Sequence, residues 1–462
     1  MNSSLKEAPA QEAFFGADFE RALALLHNDR SPGATYLRVR AIFRLGKFTR
    51  AIAEAEKVDL DSLVHEEVVA LLSLHAFVLI RLGRYAEARS RISTLEGTRS
   101  ESPYDFLEVQ CIKSYYYYFV RRYERCFAAI QSILANTENL RDDRRQYAFE
   151  RDAYSYRAQA ATLLGIIHGS RAQFALAQKW HAEALLSAER SVPRDNFFEA
   201  HALANLSCAI TAVNCPSSIS ILRDRLASLK WSAGIDEQYV NATRNLRHAS
   251  NVFGSDRIAF TTHAASSSSL AWKLADSVGR LLTQSWPTAL EFDEELSYAK
   301  TFITRVDWIN TTGDEVTGLA ELVPLLAPFD VVAALDANSR REMTLALASP
   351  HSPLGHAARD TAIDRFASGC IAKASAKWLV AEADLRASFD GLFASGIRWR
   401  ASIAAIELFT LTREDRLLEV PRDFIAAYPR SPFSKRLGRA VDLAPDAQRG
   451  AFPYLKDAIP ES

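Results

Sequence analysis

Glycine is scarce for a chain of 462 residues, with 18 copies, and alanine, leucine, arginine and glutamate fill the space with helix-favouring side chains. Long apolar runs are missing too. No uninterrupted stretch approaches the roughly 20 residues that a spanning helix needs, so a membrane protein of helical type is not expected. The first residues, Met1-Asn2-Ser3-Ser4-Leu5-Lys6-Glu7, contain no apolar core, which argues against a secretory leader. Charge of one sign is also lacking. A net charge of -1 supplies no basic field for direct binding to nucleic acid or to an anionic membrane surface. The five cysteines, Cys111, Cys126, Cys208, Cys215 and Cys370, form no C-x-x-C pair and lie in apolar, helical-looking segments. Their pattern reads as buried free thiols in a reducing, cytoplasmic setting.

Catalytic signatures are equally sparse. There is no glycine-rich phosphate loop, H-E-x-x-H or G-x-S-x-G. His351 and His356 bracket a loop-like Ser352-Pro353-Leu354-Gly355. With no cysteine or carboxylate set beside them, a solvated loop outweighs a metal site. The charge run Asp142-Asp143-Arg144-Arg145 reads as a solvated helix end. Nothing calls for a cofactor, and an enzyme is not expected.

What the chain does have is an octapeptide that occurs twice. Arg44-Leu45-Gly46-Lys47-Phe48-Thr49-Arg50-Ala51 returns 37 residues later as Arg81-Leu82-Gly83-Arg84-Tyr85-Ala86-Glu87-Ala88. Self-similarity at this period marks an architecture of stacked supersecondary units. Each copy reads as a helix, a tight turn and a partner helix. Glycine supplies the turn conformation that other residues resist, the aromatic two positions on packs back into the pair, and the alanine three further on sits where the helices meet. The first pair spans about Ala34 to Val58 and the second about His65 to Leu95. A third carries Tyr123 and Cys126, with Arg121 in place of the glycine. A fourth carries Gly165, Phe174, Ala177 and Ala184. A fifth begins at His201 and degrades at Cys215-Pro216. Small or compact residues at the expected helix crossings fall at Val39, Ala76, Ser114, Gly165 and Ser207.

The pattern small-x6-Gly-x-aromatic-x2-Ala resembles the tetratricopeptide repeat over roughly residues 12 to 230, with a longer pitch and without the closing proline. The resemblance implies an all-α helical-repeat solenoid of antiparallel helix pairs. The stretch from Gly396 to Leu408 and on to Tyr428-Pro429 is similar to the last helical repeat of bacterial LuxR-type regulators with repeat-rich sensor regions. In that family a helix-turn-helix reader follows. Here Leu443-Ala444-Pro445-Asp446-Ala447-Gln448-Arg449 echoes its opening, and the sequence given stops at Ser462.

By pattern the chain divides into a disordered N-terminus at 1–11, repeats at 12–230, an irregular helical segment at 231–330, C-terminal helical repeats at 331–442 and a tail at 443–462. One helix is expected over Glu12–His27, others over Ile235–Val252, Asp256–Leu282 and Ala374–Phe393. The run Ser266-Ser267-Ser268-Ser269 reads as part of a helix of small residues, and 310–330 as a possible boundary. The charged stretch from Glu138 to Arg151 reads as a helix extension or an exposed loop.

In stacked pairs the first helix of each pair lines one continuous face. Read in register, that face offers Tyr36, Arg40 and Arg44 from the first pair, with Phe43 beside them, and Phe77 and Arg81, with Ser73, from the second. It offers Tyr115 and Tyr118 from the third, with Glu108 and Phe119, and Asn205 from the fifth. Aromatics supply contact area and arginines recognise carboxylates. The expected function is a non-enzymatic adaptor or regulator that binds a protein or peptide partner on this face. The alternative is a ligand-sensing module derived from a transcription regulator without its reader. A homodimer is a further possibility, because uncapped repeat ends expose apolar faces, and Phe424 to Leu437 is the segment that would serve as cap or interface.

Overall fold

The computed structural model describes residues 4–97, 102–140, 152–171, 173–212, 217–229, 232–254, 277, 280–284, 291–297 and 358–457. Among these, all regular secondary structure is helical. The Ser266–Ser269 run, the 310–330 boundary, His351, His356, Cys215 and the Asp142–Arg145 run lie outside the described residues, as does most of the helix expected over Asp256–Leu282.

The helices follow the hydrophobic pattern closely. In order they are α1 (Ser4–Phe15), α2 (Phe19–Leu25), α3 (Pro32–Arg44), α4 (Phe48–Ala55), α5 (His65–Arg81), α6 (Tyr85–Gly97), α7 (Pro103–Phe119), α8 (Tyr123–Asn139) and α9 (Ala153–Ser170). There follow α10 (Phe174–Arg190), α11 (Asn196–Ala212), α12 (Ser217–Ser228), α13 (Asp236–Phe253), α14 (Ala358–Ala374), α15 (Trp378–Ala394), α16 (Arg398–Thr412), α17 (Glu419–Ala427) and α18 (Pro432–Leu443). Successive helices pack as pairs, including α3 with α4, α5 with α6, α7 with α8 and α14 with α15.

One turn closes these pairs. Gly46 and Gly83 both sit at φ 72°, and Arg121 holds the same left-handed backbone at φ 60°. The bonding repeats with the conformation. Gly46 and Lys47 donate to the carbonyls of Phe43 and Ile42, Gly83 and Arg84 to Ile80 and Leu79, and Arg121 and Arg122 to Tyr118 and Tyr117. The helix-ending carbonyls are thereby satisfied in these three pairs. Glycine adopts this backbone without penalty, whereas Arg121 does so at a cost. The expected crossing residues Val39, Ala76, Ser114, Gly165 and Ser207 are all buried. Gly165 shows why: a β-carbon there would lie 2.4 Å from the His181 ring.

The chain forms two compact units. The first comprises residues 1–167, 176–206 and 224–242, the second 168–175, 207–223 and 243–462. The core of the first unit runs through Val39, Ile42, Ala51, Leu72, Ala76, Leu79, Ala88, Ile92 and Ile112.

Five expectations need correction. Residues 4–15 are helix rather than disordered terminus, and Ala10 and Phe14 are fully buried. The single helix over Glu12–His27 is two, because Ala17 turns the chain at φ 61° and Asp18 caps α2 by accepting from Arg21 N. The helix expected from Ala374 starts at Trp378, after a turn at Ala376 with φ 55°. Cys208 is exposed, while Cys111, Cys126 and Cys370 are buried. Residues 443–457 are no loose tail: Phe452, Tyr454 and Leu455 return to the core of the second unit, where Phe424, Phe433 and Leu437 are buried as well.

Candidate functional site

The face formed by the first helices gathers charge and rings in the first unit. On α5, helical spacing puts Ser73, Phe77 and Arg81 in one row. Phe77 lies 5.0 Å from Phe43 on α3 and 4.7 Å from Tyr115 on α7, so the three half-buried rings link three successive first helices. Arg81 closes the row. It is exposed, with its guanidinium carbon 5.6 Å from the Phe48 ring and 5.8 Å from the Phe119 ring, and among the described residues it forms neither a hydrogen bond nor an ion pair. Two flanking rings restrict the side chain and attract its charge.

Arg40 and Arg44 have a different environment. Asp195 caps α11, its Oδ1 accepting from the backbone N–H groups of Phe197 at 3.0 Å and Phe198 at 3.4 Å. Its Oδ2 faces Arg44 at 3.5 Å and Arg40 at 4.0 Å. The Arg44 guanidinium lies over Phe197 at 3.7 Å and Phe198 at 4.5 Å, and Arg40 over Phe14 at 4.6 Å and Tyr36 at 5.5 Å. One turn along α11, the His201 ring lies parallel to that of Phe197. Burial, then the charges of Arg44 and Arg81, push His201 down to about 4. His181, pressed against Gly165, is pushed down to about 3 by burial and by His201. Both imidazoles are therefore neutral at physiological pH, each with one N–H to donate.

The structure thus sorts the residues picked from register. Arg81, Phe77 and Tyr115 are at least partly accessible. Tyr36 is 2% exposed and Tyr118 7% exposed, which removes both from the accessible face; each large ring is worth more inside the core than at its surface. Arg40 is also buried and faces Asp195, and Arg44 does the same from a largely buried position. Asn205 is partly buried, and its side-chain amide nitrogen has no hydrogen-bond partner. Glu108 accepts from the Tyr156 hydroxyl at 2.7 Å. Register alone passed over Asp195, Phe197, Phe198, His181 and His201. Asp195, an N-cap residue ahead of an apolar pair, carried the available signal: it moves the start of the fifth first-helix back from His201 to Asn196.

A second charged cluster lies in the core of the second unit. Lys373 Nζ meets Glu407 Oε2 at 2.7 Å and the Glu407 carbonyl at 3.0 Å, with both side chains fully buried. Glu407 Oε1 accepts from the backbone N–H groups of Tyr454 at 3.1 Å and Leu455 at 3.2 Å. Burial raises the Glu407 carboxyl above its ordinary range, against the pull of Lys373 and those two donors. Arg436 donates to the carbonyls of Leu281 and Tyr454. Here every oxygen of the carboxylate is occupied by the chain itself.

Among the described residues no group of three or more histidine, cysteine, aspartate or glutamate side chains is placed to hold a metal ion. No described helix is long and apolar enough to cross a membrane. No protein-family model matches the chain, and comparison with the curated proteins gives no match.

Proposed function

We propose that the chain is a helical-repeat binding protein, of the tetratricopeptide kind in its stacking, that docks an extended acidic segment of a protein or peptide partner. It acts by holding that partner, as an adaptor or regulator, and not by catalysis. The observation that carries this reading is Arg81: an exposed guanidinium, set between Phe48 and Phe119 and without an acidic partner among the described residues. Near it in sequence, Arg40 and Arg44 both face the carboxylate of Asp195. A ring-flanked arginine in partly apolar surroundings binds a carboxylate by charge-assisted hydrogen bonds that water competes with poorly. The half-buried Phe43, Phe77 and Tyr115 add contact area for the apolar part of the same segment.

Fluorescence anisotropy with fluorescein-labelled deca-glutamate tests the reading. Arg81→Ala is expected to weaken binding about tenfold, the loss of one charge-assisted contact. Equal affinity of the two proteins, or no binding by either, overturns it.

A further inference from the structure

In the second unit α15 packs against α14 and α16 and buries Ala381, Leu385, Ser388 and Leu392. Helical spacing puts Leu379, Val380, Ala383, Ala387 and Ala394 on the opposite side, and all five are exposed. Leu379 is 83% exposed and Val380 52%, and no other large apolar side chain among the described residues is as exposed as Leu379. A contiguous apolar face of this kind marks a contact more often than a lone exposed leucine does. The helix cannot roll to bury it, because the preceding residue is pinned. The Trp378 ring lies against Gly450, where a β-carbon would stand 2.6 Å from it, and the Arg449 guanidinium carbon lies 5.6 Å from the same ring. Two charges accompany the face. Asp390 sits within the apolar row and Lys377 just ahead of the first turn; both are exposed, and among the described residues neither forms an ion pair. The cation whose charge Asp390 reaches, Arg386, is already committed to Glu414 and Glu382.

We propose that the exposed face of α15 is the contact between two copies of this chain, packed antiparallel about a two-fold axis beside Ala383. A two-fold interface must be complementary to itself, and this face meets that condition in one orientation. Ala383 lies six residues after Lys377 and seven before Asp390. Antiparallel pairing centred there sets Lys377 of each copy opposite Asp390 of the other, so both charges find partners, one pair at either end. A parallel pairing would set each charge against its own copy. The antiparallel register also sets Val380 opposite Ala387, with Leu379 flanking that contact, and the alanines let the two helix axes approach closely. One helix pair is a small contact, of the weak class that buries under about 1,200 Å² in all, so association follows concentration. This inference does not depend on the binding reading given for Arg81.

Sedimentation velocity over a concentration series tests the pairing. The parent chain is expected to pass from monomer to dimer as concentration rises. Asp390→Lys sets like charges against each other at both ends and is expected to raise the dimer dissociation constant about tenfold. Adding Lys377→Asp to Asp390→Lys restores opposite signs across the axis and is expected to return the parent's dissociation constant, which damage to the fold would not do. Leu379→Asp, at a position 83% exposed and so outside the core, is expected to leave the chain folded and monomeric. A parent that stays monomeric throughout the series overturns the proposal. So does a dimer that neither Asp390→Lys nor Leu379→Asp weakens, since its contact lies elsewhere. A dimer weakened by Asp390→Lys and not recovered by the double variant overturns the antiparallel pairing.

Discussion

Two buried acid–base contacts, one in each unit, are built to opposite standards. In the second unit Glu407 accepts from Lys373 and from two backbone N–H groups, and Lys373 donates in turn to the Glu407 carbonyl. In the first, Asp195 faces two arginines yet leaves Oδ2 without a hydrogen bond and Arg40 Nη1 without an acceptor. The cost of burying charge is large and is offset only when the remaining donors and acceptors are filled. A saturated pair has nothing left to offer a ligand, and here it fastens the chain's own 452–455 segment.

The largest effect should come from breaking the saturated pair. Glu407→Ala strands the Lys373 ammonium in the core and releases the backbone of Tyr454 and Leu455. A loss of about 3–5 kcal/mol is expected, read as a shifted urea midpoint. Asp195→Asn keeps the cap but takes away the charge that Arg40 and Arg44 face; because Asp195 Oδ2 accepts no hydrogen bond, the loss is expected to be smaller than for Glu407→Ala. Equal losses for the two would erase the contrast.

Acid sharpens the comparison next. An unfolded histidine titrates near 6.5, whereas His201 and His181 in the first unit are held at about 4 and about 3. Between those values the unfolded chain takes up protons that the folded one refuses. The stability these two residues supply is therefore complete above pH 6.5 and is lost as pH falls toward 4. A drop of about 1–3 kcal/mol between pH 7 and pH 5 is expected in urea unfolding followed by tryptophan fluorescence. Replacing both histidines with glutamine should flatten that dependence.

The smallest test concerns the turns. Arg121→Gly relieves a left-handed backbone that arginine adopts at a cost, and should stabilise by about 0.5–1 kcal/mol. Gly83→Ala, at the matching turn one pair earlier, should destabilise by a similar amount. Thermal melts of the two variants moving in the same direction would show that the turns are not equivalent.

Much of the first unit was legible because helix pairs are local objects. The twin octapeptide placed Gly46 and Gly83 at turns, and the same register put Arg121 at a left-handed position with no glycine to mark it. Crossing residues from Val39 to Gly165 were readable because close helix approach selects small or compact side chains there. The N-terminal helices were misread, since Ala17 is an ordinary residue whose positive φ is enforced by the chain returning on itself. The segment after Leu443 looked like a polar tail, because nothing near it in sequence announces Glu407 as the acceptor for its backbone.

The sequence by itself determined an all-helical chain of paired helices and the turns that join them. These follow from periodicity and from backbone preferences that act within a few residues. Only the tertiary structure decided which of Arg40, Arg44 and Arg81 meets a carboxylate. Asp195 meets Arg40 and Arg44 from a distant helix cap, while Arg81 meets rings and, among the described residues, no carboxylate. Charge pairing depends on distance in space and on competing hydrogen bonds, and neither is encoded in the spacing of residues along the chain.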